Sequence, residues 1–144
     1  MRFITYYRSF NQKLVRKPYS SPRIGETMQQ MEGFQYATSF NLNMGCYTVK
    51  LSPACQYMIT IVTKYGIFRY NCLFMGMCAS GDIFQGKVEE LLSNIEGVKT
   101  YIDDILVLGT GGFEKHMEQL RILFGELCAA GLKFNAHKYS FGLK

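Results

Sequence analysis

The spacing of apolar side chains along this chain changes period several times, and each change marks an element. RFITYY, over 2–7, is rich in aromatic and β-branched residues and predicts a strand. IGETMQQMEG, over 24–33, puts Ile24, Met28 and Met31 on one face and stops at Gly33, which predicts a short helix. From Tyr36 the period becomes two. In CYTVKLS, over 46–52, Tyr47, Val49 and Leu51 alternate with Thr48, Lys50 and Ser52. YMITIVTKYGIFRYNCLF, over 57–74, holds two β-rich runs joined at Lys64, Tyr65 and Gly66, a hairpin signal. The runs over 46–52 and 57–74 are expected as neighbouring antiparallel strands.

Ser80 and Asp82 then offer a cap and a first-turn acid to a helix with Phe84, Val88, Leu91 and Ile95 inward, ended by Glu96 and Gly97. In VKTYIDDILVL, over 98–108, two apolar runs flank a pair of acids. A further helix follows, with Phe113, Met117, Leu120, Phe124 and Leu127 as its core stripe and Gly131 as its stop. This order predicts an α+β fold with helices packed on one face of an antiparallel sheet.

Composition narrows the class. With 144 residues the chain is sized for one domain, and 48% hydrophobic against 19% charged residues is a composition that packs rather than one that stays disordered. The longest apolar stretch, Cys72 to Ala79, falls far short of the roughly 20 residues that span a bilayer, and the N-terminus lacks the apolar core of a signal peptide. No membrane partner is expected. Five cysteines with no Cys-x-x-Cys pair, and only two histidines, argue for free and mostly buried thiols in a reducing compartment over disulfides or a zinc site. The net charge of +5 is uneven: Arg2, Arg8, Lys13, Arg16, Lys17 and Arg23 lie in the first 23 residues, which contain no acid. Such an edge suits phosphate contact or is simply a solvated basic surface.

The chemistry centres on Asp103 and Asp104. Adjacent carboxylates in a short turn repel each other and raise one pKa unless a cation neutralises them, and Mg²⁺ or Mn²⁺ is the natural partner of such oxygens. The bland alternative is a polar turn. Around these acids, TYIDDILVLG resembles the Tyr-x-Asp-Asp hairpin of the reverse transcriptases of gypsy-type long-terminal-repeat retrotransposons. Five further segments match that family in order and spacing: RFITYYRSFN, the KPYSSPRI turn, FQYATSFNLNMGCYTVKLSP, FRYNCLFMGMCASGDIFQ, and AGLKFNAHK.

The resemblance implies a right-hand polymerase palm over 36–144 and part of the fingers over 1–35, with no thumb. It implies template-directed nucleotidyl transfer using two Mg²⁺ or Mn²⁺ ions held by carboxylates from two strands. It places the metal site at Asn41, Leu42, Asp103 and Asp104. Lys138 becomes a candidate general acid for the departing pyrophosphate, with His137 beside it a weaker one. Arg2 and Arg8, with Asn11, match a fingers motif that meets phosphate or template, and Cys46, Met75, Gly76 and Tyr101 fall at nucleotide- or template-binding positions. Expected partners are template RNA or DNA with primer, deoxynucleoside triphosphates, and a polyprotein with thumb, ribonuclease H and integrase, in an intracellular retroelement particle.

Departures from the family pattern are equally informative. Asn41 stands where the family places an Asp, so a crippled polymerase is expected, because the amide loses the charge that draws in a cation. Cys46 stands in place of an aromatic ring that excludes a 2′-hydroxyl, so any activity is expected to discriminate poorly against ribonucleotides. Tyr6 replaces an acid, and Phe74 and Gly81 each replace a Pro. The rival reading is a non-catalytic nucleic-acid-binding remnant that uses the basic N-terminal edge.

Overall fold

The buried alternation of YATSFNL decides the architecture. In a computed structural model, which describes residues 5, 7–19 and 33–143, this stretch forms strand β1 (Tyr36–Leu42), with Thr38, Phe40 and Leu42 buried and Ser39 and Asn41 on the opposite face. β1 pairs antiparallel with β5 (Asp104–Gly109) on one side and with β6 (Phe134–Leu143) on the other. β5 also pairs with β4 (Val98–Tyr101), so the strand order is β4-β5-β1-β6.

Helices cover one face of this sheet. α3 (Ser80–Leu92) brings Phe84, Val88 and Leu92, and α4 (Gly112–Ala129) brings Leu120, Leu123 and Leu127, into a core with Phe40, Leu42, Ile105 and Val107. Burying a side chain of this size stabilises by about 1.5–3 kcal/mol, so the pattern of β1 and β5 fixes which face meets the helices. The other face, with Ser39, Asn41, Asp104 and Leu106, is left for chemistry. The remaining elements are α1 (Arg8–Lys13), α2 (Pro53–Met58) and the hairpin of β2 (Thr60–Thr63) and β3 (Gly66–Arg69).

Several expectations need correction. CYTVKLS is not a strand: Gly45–Thr48 forms a 3₁₀ turn entered through Met44 at φ 55°, and the segment's ladder pairing is limited to a single bridge from Lys50 to Cys72. The β2–β3 hairpin turns where expected, with Thr63 opposite Gly66, yet it forms its own two-stranded sheet. Ser80 does not cap α3; its hydroxyl donates to the Phe74 carbonyl at 2.7 Å, and Ala79 stands at the cap. α3 ends at Leu92, short of Glu96.

On α4 the core stripe is His116, Leu120, Leu123 and Leu127, while Phe113, Met117 and Phe124 remain exposed. The stripe is rotated because Phe113 and Phe124 instead pack edgewise or stacked on Phe141 and Phe134 of β6. The thiols are free, but Cys55, Cys78 and Cys128 are exposed and only Cys46 is buried, so they are not a mostly buried set. The strand expected at 2–7 and the helix at 24–33 lie largely outside the described residues, as do Arg2 and Tyr6.

Candidate active site

β4 and β5 are joined by a two-residue turn, Ile102 and Asp103, because Tyr101 and Asp104 are partners in register. Ile102 adopts φ 53°, a left-handed conformation that a β-branched residue takes only when its surroundings impose it, at a cost of about 1–3 kcal/mol. Gln85 of α3 imposes it. Its side chain is 2% exposed, its Oε1 accepts from the Ile102 amide, and its Nε2 donates to the Thr100 carbonyl at 3.0 Å. Gln85 closes the matched segment FRYNCLFMGMCASGDIFQ, yet no role was assigned to it there; the other signal was a lone amide between Phe84 and Val88 on the inward arc of a helix.

The turn places the two carboxylates differently. Asp104 is exposed on the open face, directly opposite Asn41 in the β1–β5 register, and the Asn41 Nδ2 donates to its Oδ1 at 2.7 Å. Asp103 is only half-buried, with its Oδ1 shielded from solvent. It lies close enough to Cys46 that its charge adds to the effect of burial, and together they push the thiol up to about 11. The Leu42 amide donates to the Asp103 carbonyl at 2.6 Å while its side chain is in the core, so only the Leu42 carbonyl remains as a possible ligand.

A cavity of about 1080 Å³ opens beside this pair. Asn41, Tyr101, Asp104, His137 and Lys138 all line it, with Glu89 and Thr100 at the α3–β4 side. The fold therefore gathers Asn41, Asp104, Tyr101 and Lys138, while Asp103 and Cys46 do not line the cavity. Arg8, Met75 and Gly76 do not line the cavity. Arg8 lies on α1, and on the same helix the Asn11 amide donates to the Gly76 carbonyl at 2.8 Å and its Oδ1 accepts from the Cys78 amide at 3.0 Å. Gly76 has φ 116° and passes so near Thr5 that a Cβ would sit 2.8 Å from the Thr5 carbonyl oxygen.

As they stand, these residues do not fit a pair of divalent cations. Asn41 turns an N–H donor, not a carboxylate, into the site, and that donor already occupies one oxygen of Asp104. Among the described residues no group of three or more His, Cys, Asp or Glu side chains is arranged to hold a metal ion.

A family model described as reverse transcriptase (RNA-dependent DNA polymerase) matches residues 1–144. The chain belongs to the reverse transcriptase family. It is therefore of nucleotidyltransferase descent, and it corresponds to the reverse transcriptase portion of retroelement polyproteins. It is 29% identical over 143 residues to the Retrovirus-related Pol polyprotein from transposon 412 of Drosophila melanogaster, covering 97% of this chain and 11% of that protein. It is 33% identical over 98 residues to the Pro-Pol polyprotein of Feline foamy virus, covering 67% of this chain and 8% of that protein. The chain thus spans a small part of these two polyproteins.

Among solved structures, the foamy viral protease-reverse transcriptase in complex with RNA/DNA hybrid superposes with a TM-score of 0.85 at 21% identity, over 96% of this chain and 19% of that one. The native Prototype Foamy Virus Protease-Reverse Transcriptase gives 0.84 at 23%, over 99% and 19%. The fold is that of the palm with part of the fingers of a reverse transcriptase.

Proposed function

We propose that this chain is the palm, over 36–144, and part of the fingers, over 1–35, of a gypsy-type retrotransposon RNA-directed DNA polymerase whose metal site has lost one ligand. The observation that carries the reading is the register of Asn41 against Asp104. Two adjacent central strands bring position 41 and the Asp103–Asp104 turn side by side, the placement that two-metal nucleotidyl transfer asks of its carboxylates.

In this reading Asp103 and Asp104 are the surviving acids for Mg²⁺ or Mn²⁺, and Asn41 replaces the third. Lys138 protonates the departing pyrophosphate from the wall of the cavity, and Tyr101 lines the path of the substrate. Arg2, Arg8, Met75 and Gly76 belong to the template and nucleotide side, and Cys46 sits behind the site without the bulk to exclude a 2′-hydroxyl. The partners are a primed template and deoxynucleoside triphosphates, within a polyprotein and an intracellular particle. The neighbour solved with an RNA/DNA hybrid supports the template class.

The rival reading, a non-catalytic binding remnant, loses one of its cations: Arg16 is committed to Asp82, Nε to Oδ2 at 2.5 Å and Nη2 to Oδ1 at 3.1 Å. Primer extension with Mn²⁺, in a polyprotein segment that carries the thumb, separates the two. Asn41→Asp is expected to raise the rate by about 10² to 10⁴, the loss of several kcal/mol restored. An equal rate in both forms would overturn the assignment of Asn41.

A further inference from the structure

Ile102 holds a conformation unfavourable for its side chain, and Gln85 grips the backbone on both sides of it. The orientation of the Gln85 amide is fixed, because the Ile102 N–H can only donate and the Thr100 carbonyl can only accept. Its Nε2 also donates to Thr100 Oγ1 at 3.2 Å and to Glu89 Oε1 at 2.5 Å, one turn further along α3. The other oxygen of Glu89 accepts from the Tyr19 hydroxyl at 2.5 Å.

Tyr19 is itself tied down. Its backbone amide donates to Asp82 Oδ1 at 3.3 Å, the same carboxylate that Arg16 clamps, and its ring lies against Gly86. Residues 16–19 therefore cross α3 and fasten to it at Asp82 and Glu89, positions about two turns apart. A continuous run of hydrogen bonds leads from this strap to the turn that carries Asp103.

We propose that Tyr19, Glu89 and Gln85 form a positioning relay through which the strap over α3 sets the Ile102–Asp103 turn. Tyr19 fixes the Glu89 carboxylate, which leaves Glu89 Oε1 aimed at Gln85 Nε2; this added hold keeps the amide seated between Thr100 and Ile102, and the seated amide holds the left-handed Ile102. The relay acts through the backbone that presents the two acids, and Glu89 sits in the wall of the same cavity as Asp104. The consequence for catalysis rests on the polymerase reading above; the structural relay does not.

The test is backbone amide hydrogen exchange, read by NMR on the 144-residue chain. Tyr19→Phe deletes one hydroxyl and keeps the ring. It is expected to speed exchange of the Ile102 amide about three- to tenfold, the worth of a weakened hydrogen bond, with Val107 in β5 and Leu123 in α4 unchanged. Glu89→Ala is expected to match or exceed it, and Glu89→Gln, which keeps an acceptor for Gln85, to restore most of the protection. Unchanged exchange at Ile102 in Tyr19→Phe and Glu89→Ala would overturn the relay. So would a rise shared equally by Val107, since that is general loosening. In the thumb-bearing segment with Asn41→Asp, Tyr19→Phe is expected to lower kcat and leave the KM for primed template unchanged. If that segment has no activity, the polymerase reading fails while the exchange result still decides the relay.

Discussion

Asn41 and Asp104 face each other across the β1–β5 ladder, and the amide of one donates to the carboxylate of the other at 2.7 Å. An Asp at 41 would set two anions in that place. Without metal, Asn41→Asp is therefore expected to destabilise the fold at pH 7 by about 1–3 kcal/mol, through a lost hydrogen bond and like-charge repulsion. Added Mn²⁺ should reverse the sign, stabilising the variant more than the parent. Thermal melts with and without Mn²⁺ check this; a variant equally stable in both would show that the two positions do not share a cation.

Burial first, and the Asp103 charge second, raise the Cys46 thiol from 9.0 to about 11. Its folded pKa is above its unfolded one, so the associated stability is complete below about pH 9 and is lost as pH rises toward about 11, at most roughly 2–3 kcal/mol. Chemical denaturation at pH 8, 9.5 and 10.5 should show this slope in the parent and a shallower one in Cys46→Ala. Alkylation at pH 8 should reach exposed Cys55, Cys78 and Cys128 at least about 100-fold faster than Cys46.

His116 is fully buried in α4, stacked on Tyr36 at 6.0 Å, with its Nε2 2.8 Å from the Thr38 hydroxyl. Burial lowers its pKa, and the neighbouring Gln119 side chain only partly opposes this. The neutral form is the folded one, so stability is complete above the ordinary histidine value and is lost as pH falls below it. The melting temperature should drop as pH falls below about 6.5. His116→Gln, neutral throughout, should flatten that part of the profile; an unchanged slope would assign the drop to other groups.

Gly45 begins the 3₁₀ turn behind the site, and a Cβ there would lie 2.2 Å from Cζ of Phe84. Gly45→Ala is expected to cost about 1–3 kcal/mol by overpacking. Phe84→Leu in the same chain should return part of that loss, so the two changes are coupled; strict additivity in a double-mutant cycle would mean that the ring does not meet this backbone.

That contact also explains where the sequence misleads. CYTVKLS alternates well enough to read as a strand, but no local pattern reports that Gly45 must tuck under Phe84, a residue far along the chain. Only the end of the segment keeps a ladder, with the Leu51 amide on the Asn71 carbonyl and the Leu73 amide on Val49. β1, β5 and the turn at Lys64 were legible because their burial pattern or turn chemistry is local. The stripe of α4 was not, since Leu123 and Phe124 compete for one face and β6 decides between them. At the site, Asn41, Asp103, Asp104 and Lys138 were visible as residue types in order. The role of Gln85 was not, because its task is defined by the backbone of a turn 17 residues away.

The β2–β3 hairpin shares no ladder with the four-stranded sheet, and its Val62 and Ile67 side chains are 77% and 69% exposed. A ribbon of this kind is marginal by itself and opens at a small fraction of the free energy that unfolds the whole molecule. A trypsin-like protease consequently meets Lys64 and Arg69 as open chain while the strands bearing Asn41 and Asp104 are still shut. The molecule is, in mechanical terms, a stiff plate with a detachable flap, and a single nick in the flap leaves the plate and its acids whole.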